Sequence, residues 1–222
     1  MSQSKLLYAQ NITIDLFHTV EKKGLIRADK SEAQLSQEIC QLAFNEFGIT
    51  DHWHKKIVRT GRNTLCKYSD DPPDALIQKD DIVILDFGPI VNGYEADIGR
   101  TYIIGADQKK IKIKSDVEKA WLETRDWYRG HGSLRASDLF QYAVDKANEY
   151  GYRFGGDIAG HIVGKYPHEQ PADPQSPELD IHPLNHNDLF LPDANGRQRH
   201  WILELLFLDK INGFGAYFEE LL

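Results

Sequence analysis

Cysteine is almost absent from this chain: only Cys40 and Cys66 occur in 222 residues, far apart and outside any CxxC pattern. That scarcity argues against disulfide stapling and against a cysteine-built zinc site, and reduced, partly buried thiols are expected. No stretch approaches the roughly 20 consecutive apolar residues of a membrane span, and the polar N-terminus lacks the apolar core of a signal peptide. A cytoplasmic address is expected. A dense basic patch is also missing: 26 Lys and Arg are scattered among 34 Asp and Glu, for a formal charge of -8 and a pI near 5.6. Neither nucleic acid nor an anionic membrane is therefore an expected partner, because phosphate binding needs clustered cations. Nothing suggests a modular array, and the length suffices to bury one core, so residues 1–222 are expected to form a single domain.

What is present is a succession of helical and strand-like patterns. Residues 3–23 read as a helix, and Ser31 followed by Gln34 resembles a capping box that opens a second helix ending near Gly48. Leu35, Ile39, Leu42 and Ala43 give that helix one apolar face. Strands are expected at 56–59, 82–87 and 94–104, the last two joined as a hairpin through Asn92-Gly93, which implies a mixed sheet. Helical patterns return at 115–128 and 137–150. The tetrapeptides Asn45-Glu46-Phe47-Gly48 and Asn148-Glu149-Tyr150-Gly151 close helices in the two halves, a local echo that points to duplicated halves. Residues 165–199, rich in Pro, Asp, Asn and Gly, read as a long loop, and loops of that length are often functional.

The chemistry lies in acidic residues set in apolar segments. Asp86 in Ile84-Leu85-Asp86-Phe87-Gly88 and Asp97 in Ala96-Asp97-Ile98-Gly99-Arg100 stand eleven residues apart. A carboxylate pointing from a β-ribbon into a core needs a cation, a metal or strong donors to offset its desolvation. Downstream, His161, Glu204 and Glu219 occupy comparable apolar settings. Four carboxylates and one imidazole exceed what an acid and base pair requires and suit two divalent ions such as Mn²⁺, Co²⁺, Fe²⁺ or Zn²⁺. Any one inward carboxylate is more often half of a buried ion pair.

The order Asp, Asp, His, Glu, Glu resembles that of the family of methionine aminopeptidase, aminopeptidase P and prolidase, whose members share the pita-bread fold. The segments Asp80-Asp81-Ile82-Val83-Ile84-Leu85-Asp86-Phe87-Gly88 and Asp97-Ile98-Gly99-Arg100-Thr101 look closer to aminopeptidase P and prolidase. The resemblance implies an α+β architecture, a curved mixed or antiparallel sheet covered by helices with pseudo-two-fold halves. It also implies that Asp86 is a terminal ligand of one metal, His161 and Glu204 are terminal ligands of the other, and Asp97 and Glu219 are bridges, with a hydroxide between the ions. Glu204 would also shuttle a proton. His168, seven residues after His161, matches the family's second histidine and would donate to the substrate carbonyl. The function implied is a dinuclear-metal hydrolase, an aminopeptidase acting on short peptides including Xaa-Pro substrates. The expected partners are a short peptide or small amide and, for assembly, a second copy of the chain.

Several positions depart from the family pattern. An upstream histidine is replaced within Thr64-Leu65-Cys66-Lys67-Tyr68, leaving Lys67 or Tyr68 to substitute for it. Leu205 stands where Pro usually follows the ligand Glu, and Tyr217 stands where aminopeptidase P relatives have Arg. About 55 residues precede the first strand, so no separate N-terminal domain is expected. These departures keep open hydrolysis of a non-peptide amide, as in creatinase-like relatives, and a binding scaffold without catalysis. His52 and His54 precede a strand in a polar turn and are expected to be structural or to line the substrate rim. His182 and His186 are expected to be solvated. Alternation lets only one of Glu219 and Glu220 face inward, and the resemblance selects Glu219.

Overall fold

The Ser31 hydroxyl accepts from the Gln34 amide at 3.2 Å, and the Gln34 side chain accepts from the Ser31 amide at 2.9 Å, so the expected capping box forms. It opens helix α2 (Glu32–Phe47), which ends on Gly48 at φ 65, a left-handed conformation that glycine adopts without a Cβ penalty. The computed structural model describes residues 2–222. The other helices are α1 (Ser2–Lys22), α3 (Gln108–Arg129) and α4 (Ala136–Glu149). The strands are β1 (Ile57–Thr60), β2 (Ile82–Phe87), β3 (Ile90–Val91), β4 (Tyr94–Glu95), β5 (Ile98–Ile103), β6 (Arg153–Phe154), β7 (Ile162–Val163), β8 (His200–Asp209) and β9 (Phe214–Leu221). Among the described residues no helix is long and apolar enough to cross a membrane.

The main sheet runs β1-β2-β5-β9-β8-β6, with β7 attached to β8, and its pairings are all antiparallel. Of the mixed or antiparallel sheet expected, the antiparallel form is the one that occurs. β1, β2 and β5 of the first half meet β6–β9 of the second at the β5–β9 seam, where Gly99 pairs with Glu219. The expected strand at 94–104 is broken at Ala96-Asp97. There the Ala96 carbonyl accepts from the Trp53 indole at 2.9 Å and its amide donates to Pro89 at 3.0 Å. Asn92 and Gly93, at φ 52 and φ 76, close the small β3–β4 hairpin, while β2 and β5 pair directly at its base. Helix α3 starts seven residues before the expected 115. Asp107 caps it by accepting from the amides of Lys109 and Lys110, and the lysine-rich first turns hide the apolar stripe that defines its later part.

Alternation along each strand divides the residues between two faces. On one face Val83, Leu85, Phe87 and Ile98 pack against Leu16, Phe17, Leu35 and Ile39 of the first helix pair. In the second half Leu203, Leu205, Phe207 and Phe218 pack against Trp121, Leu139 and Ala143 of the second pair. The opposite face is left for Asp86, Glu204, Tyr217 and Glu219, which border one cavity.

Candidate metal centre

Asp86 lies on β2, directly opposite Gly99 of β5, which itself pairs with Glu219 of β9, and Glu219 pairs with Glu204 of β8. Register alone therefore aligns three carboxylates across four adjacent strands. Asp97 enters from the break just before β5, and His161 from the segment before β7. Gly160 precedes that histidine at φ 141, where a Cβ would stand 1.9 Å from the Ile202 carbonyl oxygen, so only glycine lets the chain pass this close to β8. All five expected ligand residues line a cavity of about 480 Å³, together with His54, Lys67, Tyr68, His168 and Tyr217.

The distances describe a cluster centred on Asp97. Its Oδ2 lies 3.2 Å from Nε2 of His161, whose Nε2 is also 3.8 Å from Oε1 of Glu219. Its Oδ1 lies 3.0 Å from Nε2 of His54, which is 3.7 Å from Oδ1 of Asp86. The ligand-capable atoms of Asp97, His161 and Glu219 fall within 4.8 Å of one another, and so do those of His54, Asp86 and Asp97. His54 was expected to be structural or on the rim; instead its side chain is only 7% exposed and meets both aspartates. His52 stays outside the cluster, against Phe87, and burial lowers its pKa to about 4. Glu219 faces the cluster, whereas Glu220 pairs with Arg100 on the other face.

Electrostatically the cluster holds too much negative charge. Burial pushes the carboxyl of Asp86 up to about 7, with His54 opposing and Asp97 and Glu204 reinforcing the rise. Burial likewise raises Glu204 and Glu219 above the usual carboxylate range. Burial acts on Asp97 in the same sense, but His54 and His161 outweigh it and hold this carboxyl low. Burial opposes the His54 imidazolium, yet the two aspartates prevail and lift it to about 9. Oδ1 of Asp86 and Oε2 of Glu219 are buried without a hydrogen-bond partner. An unsatisfied buried polar atom costs roughly 1–3 kcal/mol, more when charged. Divalent cations would keep the carboxylates ionised and occupy both orphaned oxygens, so the donor set fits such ions.

His168 stands at the edge of this cluster. Its Nδ1 lies 2.9 Å from Oε2 of Glu95, and its backbone amide donates to Oε1 at 3.1 Å. Glu95 is fully buried and also accepts from the Gly164 amide at 2.9 Å. Trp53 presses its ring edgewise toward His54, His161 and His168, with centroids 4.5, 5.2 and 5.5 Å away. Neither Glu95 nor Trp53 stood out in the sequence: Glu95 looked like one more hairpin residue, and Trp53 sits in the polar turn. Lys67 and Tyr68 line the same cavity, and Lys67 pairs with Asp157. Tyr217 donates its hydroxyl to Glu204, and Gly99 makes room for its ring, since a Cβ there would lie 2.3 Å from it.

The sequence profile of the metallopeptidase family M24 matches residues 4–192. The chain belongs to that family. The matched stretch contains Asp86, Asp97, His161 and His168, while Glu204 and Glu219 lie beyond it and join the cluster through sheet register. A methionine aminopeptidase of Clostridium acetobutylicum is 31% identical over 108 residues, covering 45% of this chain and 39% of that protein. An Xaa-Pro dipeptidase of Pyrococcus furiosus is 31% identical over 106 residues, covering 44% and 28%. The chain thus matches less than half the length of these curated relatives. The crystal structure of a Thermococcus sibiricus prolidase superposes with a TM-score of 0.74 at 25% identity, covering 98% of this chain and 55% of that one. A methionine aminopeptidase from Thermotoga maritima superposes at 0.66 with 15% identity, covering 96% and 88%, a likeness of fold alone. The fold is the α+β pita-bread fold.

Proposed function

We propose that residues 1–222 form one catalytic domain, a dinuclear-metal hydrolase that removes residues from the free N-terminus of short peptides, with Xaa-Pro substrates modestly favoured. The observation that carries this reading is the convergence of Asp86, Asp97, His161, Glu204 and Glu219 in one cavity with two orphaned carboxylate oxygens. Asp86 would hold one ion, His161 and Glu204 the other, and Asp97 and Glu219 both. When bound, such ions supply Lewis acidity, polarising a carbonyl and lowering the pKa of water. The protein's own groups have distinct tasks. Glu204, steadied by the Tyr217 hydroxyl, accepts a proton from the attacking water and returns it to the leaving amine. His168 donates its Nδ1–H to Glu95, which fixes the ring, and in the doubly protonated form its Nε2–H donates to the carbonyl oxygen as negative charge develops there.

Relatives named for Xaa-Pro substrates and for methionine removal both match this chain, and Tyr217 in place of Arg removes one feature of the proline-handling branch. A homodimer and a cytoplasmic address, which suits the free thiols of Cys40 and Cys66, belong to the same reading. The test combines elemental analysis after reconstitution with Mn²⁺, Co²⁺, Fe²⁺ or Zn²⁺ and a panel of Xaa-Pro dipeptides, Xaa-Pro-Yaa tripeptides, Met-Ala-Ser and N-blocked versions. The expected result is up to two ions per chain and turnover confined to free N-termini. No first-row metal after reconstitution would sink the metal centre. Equal cleavage of blocked peptides would refute the aminopeptidase reading, and a fully metallated protein without peptide turnover would turn it toward a non-peptide amide.

A further inference from the structure

We infer that His54 is a sixth metal ligand, so that each ion position has its own imidazole. His54 joins Asp86 and Asp97 on one side, and His161 joins Asp97, Glu204 and Glu219 on the other. This rests on the metal-centre reading above and extends it to a residue outside the five-ligand pattern.

His54 and His161 are posed alike around Asp97. Nδ1 of His54 lies 2.7 Å from the backbone oxygen of Lys55, and Nδ1 of His161 lies 3.0 Å from that of Ile162. A carbonyl oxygen can only accept, so both Nδ1 atoms carry hydrogen, and Nε2 is the free nitrogen of each ring. Donation of the second ring N–H to a backbone carbonyl is the usual support of a metal-ligating histidine. Each Nε2 faces one oxygen of Asp97, at 3.0 Å for His54 and 3.2 Å for His161.

A hydrogen bond to Asp97 does not account for all the neighbours of His54. With Nδ1 protonated, a neutral ring turns its lone pair toward two carboxylates, an unfavourable contact. A doubly protonated ring satisfies Asp97 but leaves Oδ1 of Asp86, 3.7 Å away, beyond hydrogen-bond range and without any partner. A shared cation meets all three donors. Two ligands of one ion, each about 2.0–2.2 Å from it, lie at most about 4.4 Å apart, and both His54 distances fall inside that limit. The ring is also held in place: a Cβ on Gly88 would stand 2.1 Å from its Cδ2 and Nε2, so the absence of a side chain two residues after Asp86 is what admits it. Nitrogen at both positions shifts the centre toward Zn²⁺, Co²⁺ or Fe²⁺ and away from Mn²⁺.

The test measures Zn²⁺ and Mn²⁺ affinity and stoichiometry by equilibrium dialysis for the parent, His54→Ala and His54→Gln. Glutamine preserves a hydrogen bond to Asp97 while removing the imidazole. We expect two ions in the parent and, in both variants, more than about 100-fold weakening of one ion with the other retained, a loss beyond the roughly 10- to 100-fold cost of an outer partner. The Zn²⁺ over Mn²⁺ preference of the weakened position falls as well. A smaller loss in both variants overturns the assignment and leaves the five-ligand centre standing, whereas a parent that binds no ion removes the centre itself. Proton NMR of the Co²⁺-loaded parent needs no variant and so is independent of folding. Two strongly shifted, exchangeable ring N–H signals are expected, and a single one overturns the assignment.

Discussion

In the first half of the molecule Asp86 lies on β2 and Asp97 in the break just before β5, its directly paired neighbour, with the small β3–β4 hairpin between them. In the second half His161 precedes a long loop, and Glu204 and Glu219 sit on the two long strands beyond it. The cores differ in the same way. The first is mainly aliphatic around Phe17 and Phe87, whereas the second gathers Trp121, Phe154, Trp201, Phe207, Phe214 and Phe218. The first half therefore builds its part of the site through local pairing, and the second through a wide aromatic scaffold that fixes residues distant in sequence.

Asp97 is where the two contributions meet, and its replacement is the strongest way to separate them. Asp97→Asn should lose both ions and reduce turnover by more than the roughly 10³-fold cost of a single oxyanion-hole donor, measured by metal analysis and peptide hydrolysis. Retention of one ion would mean that the halves bind metal independently. The cores can be compared by Phe87→Ala and Phe207→Ala, each expected to cost about 3–5 kcal/mol in denaturant unfolding. One cooperative transition in both variants would make the halves a single folding unit, and a biphasic curve in either would divide them.

The parts of the site legible in sequence were those that follow strand periodicity. Asp86, Glu204 and Glu219 are inward positions of apolar strands, and alternation carries them to one face whatever the rest of the chain does. His54 and Glu95 were not legible in that way. His54 reaches Asp97 from 43 residues away in sequence, out of a turn whose polarity suggests solvent, and Glu95 meets His168 across 73 residues. Only the assembled sheet brings such pairs together. The start of α3 was hidden for a local reason, since Lys109, Lys110, Lys112 and Lys114 dilute its apolar stripe.

Smaller effects sharpen the comparison further. His168→Ala should keep both ions and lose about 10²- to 10³-fold in turnover, because its task is met after the metals are in place. Unchanged rates would return His168 to the loop. Glu95→Gln, a first-half residue acting through a second-half histidine, should cost about 10- to 100-fold, as other orienting partners do, and His168→Ala should make it silent. The smallest contrast is in the helices. Ser31 caps α2, while Arg135 at the start of α4 offers no side-chain cap. Ser31→Ala should destabilise by about 1 kcal/mol and Arg135→Ser should stabilise by a similar amount or less, read as opposite shifts in Tm.

Trp53 gives the molecule an optical property of its own. Trp121, Trp127 and Trp201 all belong to the second half, where Trp127 stacks on Tyr142 at 4.1 Å. Whereas Trp127 lies against His131, away from the cluster, Trp53 stands among three imidazoles there, its ring edge toward His54, His161 and His168. An indole so placed is an intrinsic fluorophore whose emission is quenched by neighbouring imidazolium and by paramagnetic ions, and is far less affected by Zn²⁺. With a phenylalanine at position 53 as the blank, the difference spectrum reports occupancy of the cluster in unlabelled protein and in real time.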